Sequence, residues 1–554
     1  MNVSEYLDGV ALSVLGLLPA QTPTEHEKMV FVNDFDEIVK QRITEYDTWY
    51  SGDSDELLNL YNYNARIEFK TEFYYWANKR SYFWSRASQE KDIKRSHSGF
   101  AKNMIDTIVY ICGTPTAKVD YGPQEGAVLT LGPYGAPAQE ALDGIIKAND
   151  FMSLYRREQM PMTLVEGWGA YKITWDVNVY GKDPVITYYR AQNVRVHKRM
   201  GRVLGMTFLD WYKDAKGNRY LVAETRVYSP LKKGTFVVEC FQEVGSGELM
   251  RISSEEGLDF LPKLPQTMTN MPCLFAEPCS FYEDTLHGLA GKSVLEGKID
   301  LLDDLDQAIS QASNTVRRST PIQTFDLDYA ERDRNGVPKL PNIFEGRFVG
   351  IQGRKNALGE SDGVAKPVEV IQPNLNTQMY DEHVNSVQRL IVAGILSPAT
   401  LGLDVAKKDN ADAQREKEKV TVFTRNHLLK EESRILSSLL RQALIAKEYL
   451  ATGRITKDDW DVAVSFDEFS DASYESKIQV MSTVLANDGV SPKLYVEKVY
   501  GDTLSDKQKA EEIAWLEEKH KQQSAPQEGD MPFGDEDMGG MGEMPEEPQK
   551  EEAE

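Results

Sequence analysis

The spacing of apolar residues changes several times along the chain, and each change marks a different kind of element. Between Asp34 and about Lys102 the residues read as helices carrying many aromatics, among them Trp49, Tyr50, Tyr61, Phe73, Trp76, Phe83 and Trp84, a density that needs burial or a partner. Phe100, Met104, Ile108 and Ile111 then recur at spacings of four, four and three, which makes one packed helix face, and Gly113-Thr-Pro115 ends it. After a helix expected over Ala138–Asp150 the texture switches near Pro161 to alternation. Tyr171, Ile173 and Trp175 face one way and Lys172 and Thr174 the other, as a strand requires. Further strands are expected over Val194–His197, Met206–Tyr212, Tyr220–Tyr228 and Thr235–Phe241, with a turn at Asp214-Ala-Lys-Gly-Asn218.

A second helical block follows. Leu295, Ile299, Leu302, Leu305 and Ile309 recur at spacings of 4, 3, 3 and 4, a narrow stripe that wants a neighbouring helix, while Asp300, Asp303, Asp304 and Asp306 crowd the remaining faces and predict an acidic exposed side. Residues 320–372 are punctuated by Gly and Pro, with short strands expected at Ile322–Phe325, Arg347–Ile351 and Val368–Ile371. Asn374 opens another helix, which breaks at Gly394-Ile-Leu-Ser-Pro398. From Asp412 to Leu450 a single helix would reach about 55–60 Å. A strand at Val462–Phe466, short helices at Tyr474–Leu485 and Pro492–Tyr500, and a charged helix at Lys507–Lys521 complete the pattern.

Length and charge narrow the function classes. A chain of 554 residues is long enough for three to four domains at roughly 150 residues each. With 87 acids against 63 bases the net charge is −24, which argues against a protein that coats nucleic acid with Lys and Arg. Residues 525–554 hold eleven acids against Lys550 alone and lack periodicity, so Gln522–Glu554 is expected to be disordered. The stretch Gly9–Ala20 is too short to span a bilayer, which takes about 20 residues, and Glu5 and Asp8 stand where a signal peptide would be positive. An N-terminal arm or short helix is expected there. Four cysteines with only a C-x5-C near pair make neither a disulfide framework nor a zinc ribbon and fit a reducing compartment.

Signatures of catalysis are scarce. Gly291-Lys-Ser293 resembles the end of a phosphate-binding loop, but Leu286 stands where the first glycine belongs, so a turn opening the next helix is expected. The seven histidines are too far apart for a local HExxH or HxH pair. Asp53-x-Asp55 lacks the rest of a calcium loop, and Asp303-Asp304 is expected on a solvated helix face. No catalytic residue, metal ligand or cofactor-binding residue is assigned.

The order of elements resembles the portal proteins of tailed bacteriophages over about residues 34–521. Trp49-Tyr-Ser-Gly-Asp53, Lys94-Arg-Ser-His97 leading into Lys102-Asn-Met-Ile-Asp106, and Tyr110-Ile-Cys-Gly-Thr-Pro115 are similar to that family's wing helices. Gly167-Trp-Gly-Ala-Tyr-Lys-Ile-Thr-Trp175, Val185-Ile-Thr-Tyr-Tyr and Asn193-Val-Arg-Val196 are similar to its wing strands. Leu390-Ile-Val-Ala-Gly-Ile-Leu-Ser-Pro398, Leu401-Gly-Leu403 and Asn410-Ala-Asp-Ala-Gln-Arg415 resemble its passage from stem helix through tunnel loop to channel helix. The acidic Met/Gly tail and the N-terminal arm depart from the family pattern.

The resemblance implies an α+β portal fold: an arm at 1–33, a wing at 34–290 (helical over 34–160, β-rich over 161–290), and a stem helix at 291–318. It continues with a clip at 319–373, a second stem helix at 374–394, a tunnel loop at 395–411, a channel helix and return wing strand at 412–472, a crown at 473–521 and a tail at 522–554. It implies a homo-oligomeric ring of about twelve subunits at one capsid vertex of the virion, built in the host bacterial cytoplasm. Double-stranded viral DNA would pass through the ring. Terminase large subunit, major capsid and scaffolding proteins, and head-completion, adaptor or tail proteins would be its partners, with no membrane and no cofactor. Such a protein is not an enzyme, and ATP hydrolysis would belong to the terminase.

Three sets of residues follow as candidates. Lys407 and Lys408 are candidate DNA contacts in the tunnel loop; Leu295, Ile299, Leu302 and Leu305 are candidate subunit-packing residues in the stem; Arg332, Arg334 and Arg347 are candidate terminase or adaptor contacts in the clip. Two alternatives from other classes stand beside this: another structural or scaffold protein of a large assembly, and a metal-dependent nucleic-acid enzyme using Asp303, Asp304 and other carboxylates.

Overall fold

A computed structural model describes residues 11, 30–32, 37–64, 78–85, 93–119, 137–181, 183–214, 216–230, 233–244, 248–252, 267–284, 289–319, 321–326, 332–337, 347–351, 368–371, 377–403, 411–455, 460–466, 482, 485, 490–500 and 506–523. The chain is a mixed α+β protein. It divides into two compact units, Met1–Asp467 and Glu468–Glu554. The expected N-terminal arm, the helix at Tyr474–Leu485 and the acidic tail fall largely or wholly outside the described residues.

The first unit begins with β1 (Val30–Val32), α1 (Glu37–Ser51), α2 (Ser54–Asn64), α3 (Phe100–Cys112), β2 (Pro115–Val119) and α4 (Ala138–Ala148). Much of the aromatic density is buried here. The Trp49 indole donates to the Tyr61 hydroxyl at 2.9 Å, Tyr61 donates to Glu45 at 2.6 Å, and Lys79 closes the chain on the same carboxylate. α3 buries Phe100, Met104, Ile105, Ile108 and Ile111, the face that its spacing predicts. An irregular helix follows, in which a π-helical turn at Tyr155–Gln159 joins Phe151–Leu154 to Met160–Glu166.

The β-rich part holds β3 (Trp168–Thr174), β4 (Val185–Arg190), β5 (Val194–Arg199), β6 (Arg202–Lys213), β7 (Arg219–Ser229), β8 (Lys233–Glu243), β9 (Glu248–Ile252), β10 (Thr267–Met271) and β11 (Ala276–Ser280). One antiparallel sheet runs β1-β9-β8-β7-β6-β5, with β10 also on β8, and a second runs β11-β3-β4. Lys172 does not face solvent as alternation predicts: β3 is the centre of its sheet and is covered on both faces. The Lys172 ammonium pairs with Glu224 at 2.7 Å between the rings of Tyr189 and Phe208, and Glu224 accepts from Arg226 at 2.7 Å. Burial would raise the Glu224 carboxyl, but Arg226 and Lys172 beside it hold it down to about 2.

Next come α5 (Ile299–Arg318), β12 (Ile322–Asp326), β13 (Arg347–Ile351), β14 (Val368–Ile371), α6 (Thr377–Val392), α7 (Ala411–Thr452) and β15 (Val462–Phe466). β12 is the middle of a small mixed sheet, parallel to β13 and antiparallel to β14. α5 and α6 pack side by side around it in sequence, with the Thr315 and Tyr380 hydroxyls 3.2 Å apart. α7 has 42 residues, so it is about 63 Å long. β15 pairs with β2, far back in the sequence. The second unit contains α8 (Pro492–Tyr500) and α9 (Asp506–Gln523), closed around Leu485, Tyr495, Val496 and Leu516.

Candidate functional site

Gly291-Lys-Ser293 is a packed turn. A Cβ on Gly291 would lie 2.2 Å from the Gly167 carbonyl oxygen, and one on Gly167 would lie 2.7 Å from the Lys292 and Ser293 backbone. Two glycines are therefore needed for these two segments to touch. The Ser293 hydroxyl bonds the Val165 carbonyl and accepts from Leu295 N at 3.0 Å, so it is committed to the fold. α5 then begins at Ile299, six residues later than the turn, and Leu295 lies in the intervening turns.

The four stem candidates do not form a free seam. Leu295, Ile299, Leu302 and Leu305 are 0, 6, 1 and 0% exposed within the single chain, so their own protomer already covers the stripe. The expected acidic outer face is also corrected in part. Asp300 and Asp304 are exposed, but Asp303 and Asp306 are buried, because Tyr82–Ser85 and Ser96–Ser98 lie against this side of α5 and supply donors. Asp303 accepts from Phe83 N at 2.8 Å. Asp306 accepts from Ser98 N at 2.9 Å, the Trp84 indole at 3.1 Å and His97 Nδ1 at 2.6 Å. Ser310 accepts from Ser96 N at 2.9 Å. Burial pushes the Asp303 carboxyl up to about 7, against the backbone donors that lower it.

α7 is docked onto the first unit through polar groups set among its leucines. Thr421 Oγ1 accepts from Ser397 N at 2.9 Å, Arg425 donates to the Ile111 carbonyl at 2.7 Å, and His427 Nε2 donates to the Phe281 carbonyl at 3.0 Å. Glu432 accepts from Gln159 at 3.1 Å, beside the π-helical turn. Gln442 holds both backbone groups of Ala276 and, with Ser438, the Glu277 carboxylate. Burial raises Glu432 to about 8 and Glu277 to about 7, so both carry a proton over much of the neutral range.

The remaining candidates are scattered. Lys407 and Lys408 lie outside the described residues. Arg332 and Arg334 are exposed in a turn that lies between β12 and β13 in sequence, where Arg332 donates to the Gly336 carbonyl at 3.4 Å and Arg334 N donates to Asp333 at 2.6 Å. Arg347 opens β13, opposite Ile322. Exposed apolar side chains are found elsewhere. Met379 and Leu390 lie three turns apart on one face of α6, 55 and 54% exposed, and Phe423 on α7 is 62% exposed. Tyr110, 75% exposed, is the ridge between an open groove of about 520 Å³ bounded by Thr107 and Leu401 and one of about 640 Å³ bounded by Tyr50, Arg156 and Arg157.

Among the described residues no group of three or more His, Cys, Asp or Glu side chains is placed to hold a metal ion, and no helix is long and apolar enough to cross a membrane. The sequence places the α5 carboxylates on solvated faces of an amphipathic helix and gives 412–450 only as a long helix, so neither the buried carboxylates of α5 nor the polar face of α7 follows from it. Compared with known protein families and with curated proteins, the chain matches none.

Proposed function

We propose that the chain is the subunit of a bacteriophage portal ring, about twelve copies around a channel at one vertex of the virion capsid, through which double-stranded DNA is packaged and ejected. The observation that supports this most is the succession α5, small mixed sheet, α6, a 3-10 turn at Pro398–Leu401 and the long α7, following a body of helices and two antiparallel sheets. That order is the one the sequence resemblance implies for stem, clip, stem, tunnel loop and channel helix. In this reading the clip arginines Arg332, Arg334 and Arg347 face terminase or an adaptor, and capsid and scaffolding proteins are further partners.

The subunit seam cannot use the α5 stripe, which is filled. Leu390, Phe423 and Tyr110 are among the apolar side chains exposed on the single chain, and we assign them to that seam. A net-acidic subunit suits a channel through which DNA slides, with Lys407 and Lys408 as sparse phosphate contacts. Negative-stain microscopy of the purified chain tests the proposal: rings with an axial hole are expected, and monomers or particles without a hole would overturn it. Changing Lys407 and Lys408 to Glu should leave rings intact and reduce DNA packaging or retention; normal packaging would remove the contact role.

A further inference from the structure

The turn between β5 and β6 breaks two local rules at once. Arg199 pairs across the strands with Arg202, so only Met200 and Gly201 connect them, and both have positive φ, +51° and +75°. Such a two-residue turn is made for Asn-Gly, and a methionine in the left-handed region is strained. Met200 recovers nothing by burial, since it is 92% exposed. The cross-strand pair is Arg against Arg, with Lys198 next to it, and like charges opposite one another destabilise a ribbon. Local rules broken together with no gain in the fold point to a contact made outside it.

The tip also stands clear of its sheet. β6 pairs with β7 only from Gly205 onward, so Arg202–Leu204 and the facing end of β5 continue as a two-stranded ribbon, and a register shift between His197 and Lys198 adds twist. His197 is held by Thr207 at 2.7 Å, which fixes the base of the ribbon, while the exposed Lys198 ammonium makes only a long bond to the Ala290 carbonyl, 3.3 Å, that a phosphate can replace. Arg202 is exposed and forms no ion pair among the described residues. Two exposed cations, Lys198 and Arg202, thus flank a protruding apolar side chain, in a chain whose net charge is −24.

We propose that this tip is a contact for duplex DNA, in which Lys198 and Arg202 meet phosphates and Met200 enters the minor groove as an apolar wedge against a base step. A twisted β-ribbon with cationic flanks can follow the groove, and an apolar residue at its end unstacks a step and bends the duplex. The wedge accounts for Met200, which an acidic protein surface would not require in the left-handed region. The inference rests on DNA being the partner in the proposed function, but it does not require a ring.

The test uses the full chain with Lys407 and Lys408 changed to Ala, so that only contacts elsewhere remain. Fluorescence anisotropy with a labelled 20-bp duplex at low salt should show Lys198→Ala and Arg202→Ala each weakening binding about three- to tenfold and lowering the salt slope by about one. Met200→Asn relieves the backbone and should fold at least as well; it should keep binding within about threefold yet abolish the bend read by energy transfer between the duplex ends. Equal affinities across the set, or binding to polyglutamate in place of the duplex, would overturn the DNA contact, and an unchanged bend with Met200→Asn would overturn the wedge. Negative stain of the same samples separates the two proposals: rings without tip-dependent binding refute the tip alone, and tip-dependent binding without rings refutes the ring alone.

Discussion

Removing the Asp306 carboxylate should release Trp84, His97 and Ser98 from α5. Asp306 is 0% exposed and accepts three donors: Ser98 N at 2.9 Å, the Trp84 indole at 3.1 Å and His97 Nδ1 at 2.6 Å. Asp306→Ala leaves all three buried with no acceptor, at about 1–3 kcal/mol each, and partial relaxation brings the expected total to about 3–5 kcal/mol. Asp306→Asn is milder. Its amide oxygen can still accept from Ser98 N, and the imidazole can change tautomer to accept from the amide, but the indole N–H then meets a donor and is left unpaired. Hydrogen exchange read by mass spectrometry on peptides covering 82–98 and 299–311 measures this locally, which suits a chain of two compact units. A loss of about 3 kcal/mol should speed exchange there by about a hundredfold for Ala, with a smaller effect for Asn. Exchange unchanged within threefold in the Ala variant would refute the latch.

Glu432 should give stability a negative slope with pH. Its folded carboxyl sits near 8 against an ordinary value of 4.5, so the folded state holds the extra proton between those limits and stability falls as pH rises through the window. Glu432→Gln should flatten that slope in urea melts from pH 5 to 9, and an identical profile would refute it. Gly291→Ala drives a methyl against the Gly167 carbonyl and should cost about 1–3 kcal/mol, read as a lower melting temperature. Leu302→Asp puts a charge into a site that is 1% exposed and should prevent the protomer from folding, whereas Leu390→Asp should leave circular dichroism intact and abolish rings in light scattering. Rings surviving Leu390→Asp would exclude that face from the seam.

Element positions were legible because the periodic signals were long and well punctuated. β13, β14 and β15 begin and end where the alternation does, and α3 where Gly113 stops it. What escaped was the identity of the partner for each face. On α5, at about 100° per residue, Asp306 projects about 40° from Leu302, on the side of Ile299, and so falls inside the apolar stripe. Residue type suggested a solvated acid; position on the wheel said otherwise, and the donors that resolve the conflict come from a segment more than two hundred residues earlier. α7 repeats the lesson: Arg425, Glu432 and Gln442 share a side with Leu428, Ile435 and Leu439, which blurs the stripe and hides which face is docked. The stripe of α5 itself was read correctly as needing cover, but a helix stripe carries no mark distinguishing a cover from its own chain from one supplied by another copy. The turn at Met200 and Gly201 has no sequence signal at its first position, because Met carries no turn propensity.

The pairing of β15 with β2 has a consequence for synthesis. Ser465 bonds to Thr116, 349 residues earlier, so the strand that completes this sheet leaves the ribosome about 17–70 s after its partner, at about 5–20 residues per second. Through that interval β2 has an open edge, and β11 and α3 wait for the long helix that covers them. The first unit therefore cannot close in stages from its N-terminus. It must be held unfinished until Phe466 has emerged, which exposes it to chaperones and to mispairing with neighbouring nascent copies on the same message.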